Sequence, residues 1–394
     1  MKKMPDPFAF RGLVSRALCE SGRHHAGKMC VLYHSLPVFA MCLLAVACSE
    51  RTEDSDYVAA KAGECVKYGI PAETEWQDLG VVITPGKVGS WDSRLGGMIS
   101  PAAVIRKDSR YFLYYIGADG DRSTDGGPRH RALGVATSSD GINFEKYSAN
   151  PVIRFLPYQN EEEGVFSAAV VVDGNKRVLM YYSSCDAGNH TSENVQCDGR
   201  LAVSENGLEF DDMGVVLSHS NSAVWGYGDE IFPIGVYRND KQWFVFYIAK
   251  GAGLRWGIKE YWHKFLVYVG LRSNAFWDLG VASGVNKVQL VKTAPLPNTS
   301  NTVGGGSLVR LVNGKIALFL MRGFKQRVIE VRLIQPDMPQ TAATLLTSYN
   351  FNDLLHATVF YNKQSDHWLM YYLNSAANAI KLKRSVGIET ACNR

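Results

Sequence analysis

Carboxylates gather at intervals along this chain, at Asp92, Glu161-Glu162-Glu163, Asp229-Glu230 and Asp353. Two carboxyls about 5–10 Å apart, one a proton donor and one a base or nucleophile, are what cleavage of a glycosidic bond requires. The first pairing to consider is Asp92 as base with Glu230 as acid, and Asp229 tuning its neighbour's proton affinity. Each has a plainer reading: Asp92 as a loop-capping acid, Glu230 as a rim carboxylate or ion-pair partner. The three consecutive glutamates read first as a solvated charge run.

Other side chains could meet a ligand without reacting. Arg94, Arg129, Arg131 and Arg310 offer guanidinium forks that match the carboxylate of an acidic sugar, or are ordinary surface arginines. Residues 250–264 mix aromatic and basic side chains; Trp256, Tyr261 and Trp262 could stack on sugar faces or pack a hairpin. Gly304-Gly-Gly-Ser307 lacks the strand–loop–helix setting of a phosphate loop, and no Gly-x-Ser-x-Gly elbow occurs.

The elements that must position these residues are legible as a repeat. Ala132-Leu-Gly-Val-Ala-Thr-Ser-Ser-Asp-Gly-Ile-Asn-Phe144 returns as Arg200-Leu-Ala-Val-Ser-Glu-Asn-Gly-Leu-Glu-Phe210, with a worn copy expected at Val267-Tyr-Val-Gly-Leu-Arg-Ser-Asn-Ala-Phe-Trp277. Each follows an aromatic strand: Tyr111-Phe-Leu-Tyr-Tyr115, Val178-Leu-Met-Tyr-Tyr182 and Trp243-Phe-Val-Phe-Tyr247. Ile316-Ala-Leu-Phe-Leu320 and Trp368-Leu-Met-Tyr-Tyr372 are two more such strands. Five similar sheets, none able to bury its faces alone, predict an all-β, five-bladed β-propeller over residues 63–394, about 65 residues per blade. Asp140 in the repeated phrase reads as a turn residue, binding amides beside a left-handed Gly141 while Phe144 covers the hairpin.

Inner strands fall upstream of each aromatic strand: Ile99-Ser-Pro, Phe166-Ser-Ala, Ile231-Phe-Pro, Gly304-Gly-Gly and Leu355-His-Ala. Ser100, Ser167 and Phe232 each precede the aromatic strand's first residue by eleven, and the last two blades are expected to need a one-residue shift. The acids named above then sit in loops at the axial end.

Residues 1–47 read as an export signal, with Arg23 and Lys28 before an apolar run that ends Ala45-Val-Ala-Cys48. This ending resembles a bacterial lipoprotein signal with Cys48 lipidated. Ala45-Val46-Ala47 also suits ordinary cleavage, and a retained anchor is a third reading. Residues 48–62 are polar and read as a tether. The leader holds six Lys/Arg and two Asp/Glu, so the remaining chain has 36 of each and is neutral, which gives no ground for a nucleic-acid partner. The expected location is a bacterial outer membrane or cell surface through a lipid anchor, or the periplasm. Two disulfides are expected, Cys185–Cys197 and Cys65–Cys392, the second joining the two ends of the ring.

Trp91-Asp-Ser, Ile99-Ser-Pro, Tyr111-Phe-Leu-Tyr-Tyr-Ile-Gly117, Gly134-Val-Ala-Thr-Ser-Ser-Asp-Gly141 and Asn150-Pro-Val-Ile153 resemble the first blade of five-bladed propeller glycosidases. These are the arabinanase, invertase and levansucrase relatives, including glycoside hydrolase family 43. The resemblance implies a funnel-shaped carbohydrate site on the axis and three acids at the inner strands. This chain departs there: Ser100 stands where the resemblance implies the base, and Ser167 where it implies the second acid. Glu230 precedes Pro233 by three residues where the pattern has two. His356 matches the axial histidine of the pattern. Two readings stay open: a hydrolase using displaced acids, and a carbohydrate-binding surface lipoprotein that has lost catalysis. A protein-interaction scaffold is a third, favoured only by a filled funnel. No cofactor is expected; calcium beside His356 is the ion left open, with no ligand set to hold it. A monomer is expected, with an oligo- or polysaccharide as its partner.

Overall fold

Strands whose consecutive side chains are all apolar suit burial on both faces, and the five aromatic runs have that pattern. In the computed structural model they are the second strands of five four-stranded antiparallel sheets. The structure describes residues 69–387 apart from 94–98, 119–130, 155–163, 187–195, 220–229, 251–276, 293–295, 297–301, 312–313, 323–326, 338, 340–342 and 375.

Blade one runs outward through β2 (Ser100–Lys107), β3 (Arg110–Ala118), β4 (Arg131–Ser138) and β5 (Glu145–Lys146). Blade two is β6 (Ala168–Val172), β7 (Val178–Asp186), β8 (Gln196–Ser204) and β9 (Asp211–Leu217). Blade three is β10 (Ile231–Arg238), β11 (Trp243–Lys250), β12 (Trp277–Gly284) and β13 (Val291–Lys292). Blade four is β14 (Thr302–Arg310), β15 (Ile316–Arg322), β16 (Val328–Ile334) and β17 (Thr344–Tyr349). Blade five is β18 (Leu354–Asn362), β19 (His367–Asn374) and β20 (Ala379–Val386), completed by the N-terminal β1 (Gln77–Ile83). The first strands β2, β6, β10, β14 and β18 touch one another in a closed ring. Pairing of β1 with β20 ties the N-terminal strand to the outer edge of the last blade through backbone hydrogen bonds.

Five apolar clusters lie one between each pair of neighbouring blades. Alternation along β3 shows why: Tyr111, Leu113 and Tyr115 pack on blade five, while Phe112, Tyr114 and Ile116 pack on blade two. Leu113, Tyr114 and Tyr115 are fully buried, and side chains of this size contribute about 1.5–3 kcal/mol each on burial.

The Tyr-Tyr doublets divide two tasks. The first tyrosine of each donates into the next blade: Tyr371 to Gly141 O (2.7 Å), Tyr114 to Gly207 O (2.9 Å), Tyr181 to Lys287 O (2.9 Å). The accepting hairpins are held by side-chain turns, Asp140 taking the amides of Ile142 and Asn143, Asn206 those of Leu208 and Glu209, Asn286 those of Val288 and Gln289. Gly141 and Gly207 stand at φ +78° and +79°, where a side chain would be strained. Phe144 packs edge-on against Tyr371 and Phe210 against Tyr114. The repeated phrase is thus a latch between blades.

Two expectations are corrected. The third copy of the phrase is Leu279-Gly-Val-Ala-Ser283 in β12: Gly280 faces Tyr247 as Gly134 faces Tyr115, whereas 267–276 lie outside the described residues. Blade four needs no register shift, because Gly306 pairs with Leu320 and leaves Gly305 eleven residues before Ile316. Blade five does need one. Its 363–366 turn is two residues longer than the Asp108-Ser109 turn of blade one, while blade one carries a bulge between Pro101 and Ala103.

Candidate functional site

Strand pairing defines one equivalent position per blade at the start of the inner strand. Ser100 faces Ile116, Phe232 faces Ile248 and His356 faces Leu373, each the sixth residue of its aromatic run. Ser167 stands beside Ser183, whose amide donates to its carbonyl at 3.1 Å, and Gly305 stands beside Met321. Ser100, Ser167, Phe232, Gly305 and His356 therefore form one ring about the axis. A β-carbon built on Gly305 would lie 3.8 Å from His356 Nδ1, so the missing side chain leaves space beside the histidine.

An open recess sits at this ring, with Ser100, Pro101, Phe166, Ser167, Pro233 and Gly305 in its lining. No carboxylate lines it among the described residues. The recess sits where the blades converge because the strands there carry small residues: Ala102, Ala168, Gly306 and Ala357 also line it. Ser183, fully buried, fixes the blade-two side by accepting the amides of Phe166 and Ser167 at 2.8 and 2.9 Å. The Ser167 hydroxyl oxygen is buried without a hydrogen-bond partner, a group that would gain from a ligand hydroxyl or carboxylate. Phe166 and Phe232 present neighbouring rings, 5.9 Å apart between centroids.

Two arginines contact residues that directly precede members of this ring. Arg131 opens β4 opposite Ala118, the eighth residue counted from Tyr111, and Arg327 stands one residue before β16, whose Val328 faces Arg322, the seventh counted from Ile316. The Arg131 guanidinium lies 3.9 Å over the Phe166 ring, one residue before Ser167. Arg327 donates to the carbonyl of Leu355, one residue before His356. The corresponding place in blade two is Cys197, joined across the strands to Cys185 in the expected disulfide. Among the described residues Arg327 has no carboxylate partner, whereas Arg322 and Arg332 share Glu330 at 2.5 and 2.7 Å.

Asp92 and Glu230 occupy different settings. Asp92 is 3 % exposed and ion-paired to Lys146 of the outermost strand at 2.6 Å, with Tyr115 and Ser90 hydroxyls donating at 3.2 and 3.0 Å. Its environment recurs: Tyr182 donates to Asp212, which pairs with Arg200, and Tyr372 donates to Asp78, which pairs with Lys381. Glu230 is 9 % exposed and its backbone bridges Cys197, on the approach to Phe232. Asp353 accepts from Asn374 at 2.8 Å within blade five. Ser100, Ser167 and His356 are brought together at the axis; Arg310 is exposed at the far end of β14. Asp229, Arg94, Arg129, Trp256, Tyr261, Trp262, the glutamates 161–163, Cys48, Cys65 and Cys392 lie outside the described residues. Among the described residues no cluster of three or more potential metal ligands occurs, so calcium gains no ligand set.

Phe166, Ser183 and Arg327 were not singled out by sequence reasoning. Phe166 and Ser183 could have been found by extending the eleven-residue register one step each way. Arg327 could not, since its contact with Leu355 depends on how two blades meet.

No protein-family model and no curated protein matches this sequence. Solved structures do. A glycoside hydrolase family 32 β-fructofuranosidase of Bombyx mori superposes with a TM-score of 0.53 at 13 % identity, over 82 % of this chain and 64 % of that longer one. A candidate glycoside hydrolase of Parabacteroides distasonis gives 0.53 at 13 % identity, over 80 % of this chain and 98 % of the other. A β-1,2-mannobiose phosphorylase of Listeria innocua, solved with β-1,2-mannobiose, gives 0.51 at 12 % identity, over 79 % and 96 %. At these identities the likeness is one of fold: the chain has the five-bladed propeller architecture of the propeller glycosidases.

Proposed function

We propose that this protein is an exported propeller that binds carbohydrate at its axis and does not cleave it. The observation that carries the reading is the axial ring of Ser100, Ser167, Phe232, Gly305 and His356, which presents hydroxyls, an aromatic ring and an imidazole but no carboxylate. Bond cleavage between sugars needs a proton donor and a base at the reacting centre. Aromatic faces beside a few hydroxyls are enough to hold a sugar. The mannobiose bound to the Listeria phosphorylase supports a carbohydrate for this fold. The Cys185–Cys197 disulfide supports an oxidising compartment, and with it export.

A second reading, glycoside hydrolysis with Glu230 as acid, is favoured by that residue's burial on the approach to the ring. One experiment separates the two: a panel of plant and microbial glycans is incubated with the protein and with Glu230→Gln, while binding is followed by calorimetry. Binding without sugar release supports the receptor. Release that disappears in Glu230→Gln establishes the hydrolase.

A further inference from the structure

We infer that the ligand of the axial recess carries a carboxylate, as a uronic acid does, and that Arg327 and Arg131 receive it. This rests on the carbohydrate reading above and names the class of sugar. Arg131 opens the third strand of blade one, and Arg327 stands just before the third strand of blade four. Each reaches over to the residue just before an axial ring member, Arg327 to Leu355 and Arg131 to Phe166. The recess, whose lining includes the Phe166 under Arg131, has no carboxylate among its described residues.

Arg327 carries the argument furthest. Its guanidinium has five N–H donors in a fixed fork, and among the described residues its hydrogen bond goes to the Leu355 carbonyl alone. A neutral acceptor leaves the charge uncompensated, and the cation is partly withdrawn from water, which lowers its affinity for the proton. Arg322 and Arg332, a few residues away, are satisfied by Glu330. A charged fork without an acid partner among the described residues, bonded one residue from the ring member His356, matches a planar carboxylate held by two parallel bonds. The Ser167 hydroxyl, buried and unpartnered, adds a donor on the blade-two side of the recess.

The test is calorimetric titration of the full chain with galacturonic acid oligomers and, separately, with galactose oligomers of the same length. Tighter binding of the acidic oligomers by at least about tenfold is expected. Arg327→Gln should lose that margin and leave the affinity for galactose oligomers in place. Arg327→Lys, which keeps the charge without the fork, should lose most of it. Arg131→Gln provides a second variant should Arg327→Gln fold poorly by circular dichroism, and Ser167→Asp, which adds a carboxylate to the recess, should weaken acidic oligomers selectively. Equal binding of both oligomer types overturns the inference and leaves the carbohydrate reading standing. Binding of neither, by a folded protein, overturns both.

Discussion

Lys146 Nζ lies 2.6 Å from Asp92 Oδ2, with the carboxylate 4 % and the lysine side chain 31 % exposed. The lysine comes from the outermost strand of blade one, and the Tyr115 hydroxyl donates to the same oxygen. Blades two and five repeat the trio as Tyr182–Asp212–Arg200 and Tyr372–Asp78–Lys381. A motif found in three blades serves the blade, whatever the axis does. Removing one partner of such a pair strands the other, so Asp92→Ala should cost about 2–4 kcal/mol of stability. Chemical denaturation measures it. A loss below about 0.5 kcal/mol, with sugar release abolished, would instead return Asp92 to the list of catalytic candidates.

The interblade latches should behave as independent bonds. Tyr114→Phe and Tyr371→Phe each delete one hydroxyl and leave a buried carbonyl, Gly207 or Gly141, unpaired. Each should cost about 1–2 kcal/mol. Because they join different pairs of blades, the double variant should show the sum to within about 0.5 kcal/mol. A large coupling would mean that the blades do not respond separately.

Acid should reach the Asp140 hairpin late. Burial pushes the Asp140 carboxyl up, but the amides of Asn143 and Ile142 and the Ser138 hydroxyl outweigh it and hold the group well below the usual carboxylate range. A group whose folded value is depressed contributes stability that is full above its unfolded value and is lost as pH falls toward the folded one. Asp140→Asn keeps the turn acceptor, as Asn206 and Asn286 show in the other hairpins. The variant should therefore be less stable than the parent near neutrality, and the gap should close between about pH 5 and pH 2. Thermal melts across that range would detect it; a constant gap would contradict the assignment.

Reduction should loosen blade two. Cys185 and Cys197 are twelve residues apart and directly paired across β7 and β8. Cutting that link frees a short loop in the unfolded chain, worth about 3 kcal/mol. Cys185→Ser with Cys197→Ser should lower the melting temperature, and a reducing agent should move the parent toward the variant but leave the variant unchanged.

Much of the architecture could be read in advance for a simple reason. A propeller blade is sandwiched between neighbours, so its second strand is apolar on both faces and stands out as an uninterrupted run, as at 111–115 and 368–372. A shorter hairpin with a bulge in blades one and three and a longer hairpin without one in blade two give the same count back to Ser100, Ser167 and Phe232, and the backbone bonding put all three where counting had put them. The worn third copy was misplaced because its hairpin begins Ser283-Gly-Val-Asn and lacks the aspartate and phenylalanine that mark the others. The tetrapeptide Leu-Gly-Val-Ala, shared with 133–136, was the better signal.

The sequence by itself determined the repeat, the strands and the identity of the residues that open each inner strand, because those depend on local periodicity and on short loops. What only the tertiary structure decided is which side chains meet. Asp92 and Lys146 are 54 residues apart in the chain, and Arg327 meets Leu355 across the boundary between two blades. Hydrogen bonds and ion pairs form over about 3 Å, so closing the ring, rather than residue type, settles which acid is already occupied and which carbonyl a cation meets.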